Sequence, residues 1–269
     1  MGSGIAQVAA QSGFNTILYE LNHEVLDKAK GSIARNLQTL VEKGKLSANE
    51  KNKISGRIHF AKAIEDCKAE IFIEAIIEKP EAKIELFNQL AVLNAPETIF
   101  ATNTSSLSIS AIATKIKGAH RIIGMHFFNP APIMKLVEVV YTQYTDREII
   151  KIVRELSKAM GKTPVVCQDS PGFIVNRVAR PYYIESLRLA EEGLVDFAQL
   201  DTLMEATGFK MGPFKLMDLI GNDVNYAVSC SVYEQLGSPE RLRPSPLQNE
   251  KVETGELGRK TKKGYYDYN

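Results

Sequence analysis

Residues 1–20 read MGSGIAQVAAQSGFNTILYE. This stretch decides the fold because its hydrophobic period changes halfway. From Gly2 to Ser12 the apolar Ile5, Val8 and Ala9 fall on one side at helical spacing. Thr16-Ile17-Leu18-Tyr19 then runs β-branched and apolar, short enough for a buried strand, and an acid, Glu20, follows it. A helix giving way to a strand opens an alternation, and the rest of the first half continues it.

Residues 24–43 carry Leu26, Ala29, Ile33, Leu37, Leu40 and Val41 on one helical face, with Lys28, Lys30, Arg35 and Lys43 on the other. Short strands are expected at 57–61, 70–77 and 98–101. The stretch EIFIEAII (70–77) is apolar enough for burial on both faces, as parallel strands require. Pro80 opens the helix that follows it. Two more strands, 121–128 and 136–141, flank NPAPIMK (129–135). A helix over 146–160 is stopped by Gly161, and TPVVC (163–167) closes the series. Alternating strands and helices predict an α/β sheet with right-handed crossovers.

After Cys167 the character changes. QDSPG (168–172) is a turn-rich junction, and only helical patterns follow, at 173–192, 197–207 and 214–235, with a kink at Pro181. The expected organisation is an α/β domain over 1–168 and a smaller all-α domain over 169–269. A net charge of +1 provides no field for nucleic acid. No segment approaches the ~20 apolar residues of a membrane span. The start lacks a basic leader, and Ala6 stands where a myristoylation signal needs Ser or Thr. Cys67, Cys167 and Cys230 are far apart with no metal-ligand spacing, so they suit free thiols in a reducing cytoplasm.

A dinucleotide fingerprint is GxGxxG after a strand, with an acid about 20 residues on. Here Gly2 stands for its last glycine and Glu20 lies 18 residues beyond it. The glycines admit a pyrophosphate to the positive helix end. The acid accepts hydrogen bonds from a ribose and repels a 2′-phosphate, favouring NAD over NADP. The same residues also suit a small-residue helix packed on a sheet, with Glu20 merely ending a strand.

The stronger chemical signal is GMHFFNPAPIMKLVEVV (124–140). In a hairpin centred on Pro132, residues whose numbers sum to 264 face each other, so His126 and Glu138 pair on one face. A carboxylate that fixes one ring nitrogen leaves the other suited to a general base. A core histidine beside a chance acid is the competing reading.

Five stretches, in order, carry a resemblance that covers essentially the whole chain: NTSSLSIS (103–110), HFFNPAPIMKLVEVV (126–140), DSPGFIVNR (169–177), MGPFKLMDLIG (211–221) and GRKTKKGYYDY (258–268). Together they resemble the L-3-hydroxyacyl-CoA dehydrogenase family, particularly its short-chain 3-hydroxybutyryl-CoA members. MGSGIA is similar to the tail of the family's GxGxMGxGIA. By that resemblance about ten upstream residues, the first strand and two glycines, are missing here, which puts cofactor binding at issue.

The resemblance implies a Rossmann-like, mostly parallel sheet lacking its first strand, then an all-α domain for substrate and dimerisation. It implies NAD as cofactor, an acyl-CoA substrate, and the single-function enzyme. His126 is then the base, Glu138 its orienter, and Ser105 and Asn176 hydrogen-bond the substrate. Asn129 holds the substrate or its own loop. Asn103, Glu78 and Lys83 join Gly2 and Glu20 at the cofactor, and Asn36 and Lys43 meet coenzyme A. Simpler roles stand beside these. NTSSLS also makes a helix cap, Glu78 with Lys83 also supports a helix start, and the lysines after residue 28 also make a solvated face. Two rival functions remain: a hydroxy-acid dehydrogenase acting without CoA, and a catalytically impaired CoA-binding relative.

Overall fold

The computed structural model describes residues 1–269, which divide into two compact units, Met1–Asp169 and Ser170–Asn269. The first alternates in the expected way. Helix α1 (Gly2–Gln11) leads to β1 (Thr16–Tyr19). Helix α2 (His23–Glu42) begins where the Asn22 side chain accepts from the Glu24 and Val25 amides. Helix α3 (Ala48–Gly56), which periodicity did not announce, starts from a capping box in which Ser47 and Glu50 satisfy each other's amides. Then come β2 (Ile58–Ala61), β3 (Ile71–Glu74), α4 (Pro80–Leu93), β4 (Ile99–Thr102) and the short α5 (Ile109–Ala113). The unit ends with β5 (Ile122–Phe127), β6 (Leu136–Tyr141), α6 (Arg147–Ala159) and β7 (Thr163–Gln168).

The strands form two sheets. One is the parallel pair β1-β2. The other has order β3-β4-β5-β6-β7, parallel except for the antiparallel β5/β6 neighbours. The expectation of a mostly parallel α/β sheet is met. β1 has β2 alone as a ladder neighbour, and β3 has β4 alone. Helix α1 packs on both sheets. Ile5 and Val8 join the core of Ile99, Ala101, Ile123, Met125, Val137 and Val139, while Ala10 joins Ile33, Leu37, Ile54 and Ile58.

The strand expected over 70–77 is shorter, and it is not buried on both faces. Ile71, Phe72 and Ile73 are half-buried, and Ile76 and Ile77 lie exposed beyond the strand. An outer strand is covered less than an inner one, whereas β4 and β5 are buried at every residue.

The second unit is helical: α7 (Val175–Glu191, with Pro181 inside it), α8 (Phe197–Ala206), α9 (Pro213–Ile220), α10 (Asn222–Gln235) and α11 (Pro246–Glu253). The single helix expected over 214–235 is two helices. Gly221 takes φ +104°, a conformation open to glycine and closed to a helix interior. Phe214, Met217, Tyr183, Leu187, Leu200 and Tyr265 make the core. The tail is held by the buried Asp218, which accepts from the Tyr265 and Tyr266 amides, the Tyr268 hydroxyl and the Asn222 amide group.

Candidate active site

The central pair comes from the β5/β6 hairpin. Antiparallel register sets His126 opposite Glu138, Met125 opposite Val139 and Gly124 opposite Val140, which is the pairing whose numbers sum to 264. Paired residues share a face, so the two side chains meet, with His126 Nδ1 2.8 Å from Glu138 Oε2. Both are buried, at 6% and 1% exposure. The Phe128 ring lies 4.6 Å from the imidazole, centre to centre.

The connecting turn is fastened from beneath. Lys162, at the foot of β7, donates to the Ala131 and Met134 carbonyls at 2.5 and 2.9 Å, and burial pulls its ammonium below the usual lysine range. A Cβ on Gly4 would come within 3.2 Å of Pro132, so α1 and the turn are in close packing. Asn129 is exposed at the start of that turn.

The loop after β4 carries Asn103 and Ser105. Asn103 Oδ1 accepts from the Phe127 amide at 2.8 Å, which ties this loop to the strand position next to His126. Glu78 Oε1 accepts from the Thr104 hydroxyl at 2.5 Å, from the Ser105 and Ser106 amides at 3.0 and 3.3 Å, and from the Ser106 hydroxyl. Its other oxygen lies 3.2 Å from Lys83 Nζ. Burial opposes charge on Glu78. The Thr104 hydroxyl, the Lys83 ammonium and the Ser105 amide outweigh it and hold the carboxyl below its ordinary range.

Lys83, expected at the cofactor, is 1% exposed, with its ammonium between Glu78 and Glu74, 2.7 Å from the latter. Sequence reasoning missed Glu74. It is buried in β3 and also accepts from the Thr102 hydroxyl and the Ile76 amide. The signal was there: an acid inside the apolar run EIFIEAII needs a buried cation. Asp169 was also missed as a binding group. It accepts from the Ser110 amide and the Ser108 hydroxyl and so holds the start of α5.

Glu20 follows β1, Glu78 follows β3 and Asn103 follows β4, all at C-terminal ends of parallel strands, where open α/β sheets bind ligands. The residues present suit a dinucleotide. The first turn of α1 has no side-chain cap and no acid, and while the Gly4 and Ile5 amides bond the Met1 carbonyl, those of Gly2 and Ser3 can meet a pyrophosphate. A Cβ on Gly2 would meet nothing nearer than Ala75 at 3.9 Å, which leaves space at that turn. Asn36 lies on the exposed side of α2 and donates to Gln7 at 3.2 Å, and the exposed Lys43 caps the helix's C-terminal end. Asn176 is in the second unit, half-buried in the first turn of α7.

Residues 1–170 match the family model described as the NAD binding domain of 3-hydroxyacyl-CoA dehydrogenase, and residues 172–268 match that of its C-terminal domain. The chain belongs to the 3-hydroxyacyl-CoA dehydrogenase family. A probable 3-hydroxybutyryl-CoA dehydrogenase of Deinococcus radiodurans is 42% identical over all of this chain and 96% of its own length. The 3-hydroxyadipyl-CoA dehydrogenase of Escherichia coli K12 is 46% identical, and this chain spans 57% of its length. The crystal structure of the (S)-3-hydroxybutyryl-CoA dehydrogenase of Ralstonia eutropha superposes with a TM-score of 0.96 at 36% identity, covering this whole chain and 95% of that one. The family resemblance drawn from the five motifs is thereby met, and so is NAD as the cofactor.

Proposed function

We propose that this protein interconverts (S)-3-hydroxyacyl-CoA and 3-oxoacyl-CoA with NAD. The observation that carries the reading is the buried His126–Glu138 pair, Nδ1 to Oε2 at 2.8 Å. Glu138 fixes the tautomer, so Nε2 is the nitrogen presented to the substrate's 3-hydroxyl. On oxidation His126 takes the hydroxyl proton, and the carboxylate stabilises the imidazolium that forms. On reduction the same nitrogen returns the proton. NAD, when bound, would supply the acceptor for the hydride of C3. Ser105, on a loop pinned by Glu78, hydrogen-bonds the substrate oxygen. Asn176 holds the thioester end, and Asn129 supports the substrate or the turn.

Gly2 and Glu20 meet the pyrophosphate and ribose, with Asn103 on the nicotinamide side. Glu78 and Lys83 shape that side through their shared network. Asn36 and Lys43 lie toward coenzyme A. Residues 1–168 form the nucleotide domain, and residues 169–269 form the substrate and dimerisation domain. The exposed Leu203, Leu219, Ile220 and Val224 of the second unit support a homodimer through that domain. No helix is long and apolar enough to cross a membrane, and three free cysteines fit a reducing cytoplasm.

The test is NADH-linked reduction of acetoacetyl-CoA, followed at the nicotinamide absorbance. Turnover that disappears in His126→Ala is expected. NADH oxidation with a free 3-oxo acid but not its CoA ester favours the hydroxy-acid rival. Thioester binding without turnover favours the impaired relative. The names of the relatives span hydroxybutyryl and hydroxyadipyl chains.

A further inference from the structure

We propose that Lys162 is a positioning residue for the reaction: through the β5/β6 turn it sets the spacing between His126 and the first turn of α1. The proposal rests on the dehydrogenase reading above and adds a residue to it.

Residues 128–135 join β5 to β6. Within this turn the Ile133 and Met134 amides both donate to the Pro130 carbonyl at 3.0 Å. Further anchors come from the start of β7. The Lys162 ammonium bonds the Ala131 and Met134 carbonyls, and the Thr163 amide donates to the Lys135 carbonyl at 2.8 Å. Lys162 is buried, at 9% exposure, while Ile133 between its two carbonyl partners is 73% exposed. The turn is therefore held at its base and not at its tip.

The same turn seats α1. The Ala131 side chain is buried in one core with Ile5 and Val8 of that helix. A Cβ on Gly4 would lie 3.2 Å from Pro132 Cδ and 3.4 Å from Ala131 Cβ, so the helix comes closer to the turn than a side chain there would comfortably allow. Two residues further back on the helix, the Gly2 amide stands at the end that suits a pyrophosphate.

The sheet puts this clamp on the ligand side. β5 runs parallel to β4, so the turn leaves β5 at the edge where the loop of Asn103 leaves β4. β6 returns antiparallel, and β7, parallel to β6, starts at that same edge. His126 lies two residues before the turn and Glu138 three residues after it. A buried ammonium facing neutral carbonyls is a costly fastening, since an apolar side chain would fill the space without desolvating a charge. What it provides is geometric, because one side chain with three N–H directions fixes two points of backbone at once. The reaction needs that precision. Hydride leaves C3 toward the nicotinamide while His126 holds the hydroxyl proton, and a misplacement of about 1 Å can cost on the order of 100-fold.

The experiment has two arms. The first is amide hydrogen exchange of the wild type and Lys162→Met without any ligand. Faster exchange is expected over residues 128–135 and over the first turn of α1 together. Unchanged exchange, or a change in the turn alone, overturns the coupling. The second arm is steady-state reduction of acetoacetyl-CoA with NADH and with NADH dideuterated at C4, at saturating cofactor, scaled to the fraction folded in a urea titration. Lys162→Met is expected to lose roughly 10- to 100-fold in kcat, with KM for acetoacetyl-CoA within about threefold of wild type. Its deuterium effect on kcat is expected to be at least as large as that of the wild type, which places the loss at the hydride step. Lys162→Arg, which keeps N–H donors for the carbonyls, is expected to recover about fivefold or more of that loss.

A folded Lys162→Met with kcat within about threefold of wild type makes the lysine a stabilising clamp only and overturns the proposal. So does a shrunken isotope effect, or an arginine variant no better than methionine. If Lys162→Met does not fold, Gly4→Ala decides, since it presses on the same turn from the helix. A loss of about tenfold in kcat at saturating NADH supports the proposal, and an unchanged kcat overturns it. A wild type without turnover removes the dehydrogenase reading, and the role in the reaction falls with it, whereas wild-type turnover with an unaffected Lys162→Met removes this proposal alone.

Discussion

Replacing Glu138 with glutamine keeps the side chain's shape and an oxygen for Nδ1–H, and it removes one negative charge. In the proposed reaction His126 becomes an imidazolium when it takes the proton, facing Glu138 across a 2.8 Å bond. At 6% and 1% exposure neither group is screened by water, so an effective dielectric constant of about 20 applies. With charge centres about 4 Å apart, full charge on the ring is then worth ~4 kcal/mol, and a half-developed charge in the transition state about half that. Each 1.4 kcal/mol is about tenfold in rate, so Glu138→Gln lowers kcat by between about 30-fold and 1,000-fold. The pair acts on the proton, not on coenzyme A, so KM stays within about threefold. The assay is steady-state NADH oxidation with acetoacetyl-CoA at saturating cofactor, with a urea titration to show that the variant is folded. A folded variant with kcat within threefold of wild type refutes the role of Glu138. A loss confined to KM refutes the proton-transfer argument while leaving a binding role.

Three further outcomes are expected. Gly124→Ala puts a Cβ 2.4 Å from Ile109 and 2.9 Å from Val140, all buried, and costs about 1–3 kcal/mol in urea unfolding; an unchanged midpoint means that α5 gives way without strain. Asp218→Ala takes the acceptor from four donors in the helical unit and costs about 3 kcal/mol or more, read by thermal unfolding; a neutral variant demotes the tail clamp. Glu78 is held below its ordinary 4.5, so its stabilisation is complete above that pH and is lost as pH falls through its lower folded value. Thr104→Val weakens that hold, so its stability falls less steeply than wild type between about pH 6 and pH 3, and parallel curves in urea count against the network.

The sequence made the His126–Glu138 pair legible because a strand has period two and a proline-rich turn fixes the centre of the hairpin. Once Pro132 is the centre, every pairing in β5/β6 follows, and side-chain direction follows from pairing. The network of Glu74, Glu78, Lys83 and Thr104 was only half legible. Glu78 and Lys83 are neighbours on the chain, but Thr104 arrives from the next strand, 26 residues on. Gly221 was legible as a glycine and not as a break. An interior helical glycine and one at φ +104° look alike in an apolar run, and packing against Asp218 and the tail decides between them. The short α5 has too few residues for a period, and caps at Ser108 and Asp169 define it instead.

The buried charges beside the loop after β4 are paired. Lys83 in α4 and Glu74 in β3 are buried at 1% and 5% exposure, and each neutralises the other while Glu78 and Thr102 complete the set. Such a pair adds little net stability, because desolvation offsets attraction, but it tolerates few geometries. What it secures is position. Lys83 fixes Glu78, Glu78 fixes the Thr104–Ser106 backbone, and Asn103 fixes that loop to the residue after His126. If Ser105 meets the substrate as proposed, its loop gains more from this fixing than from further apolar area.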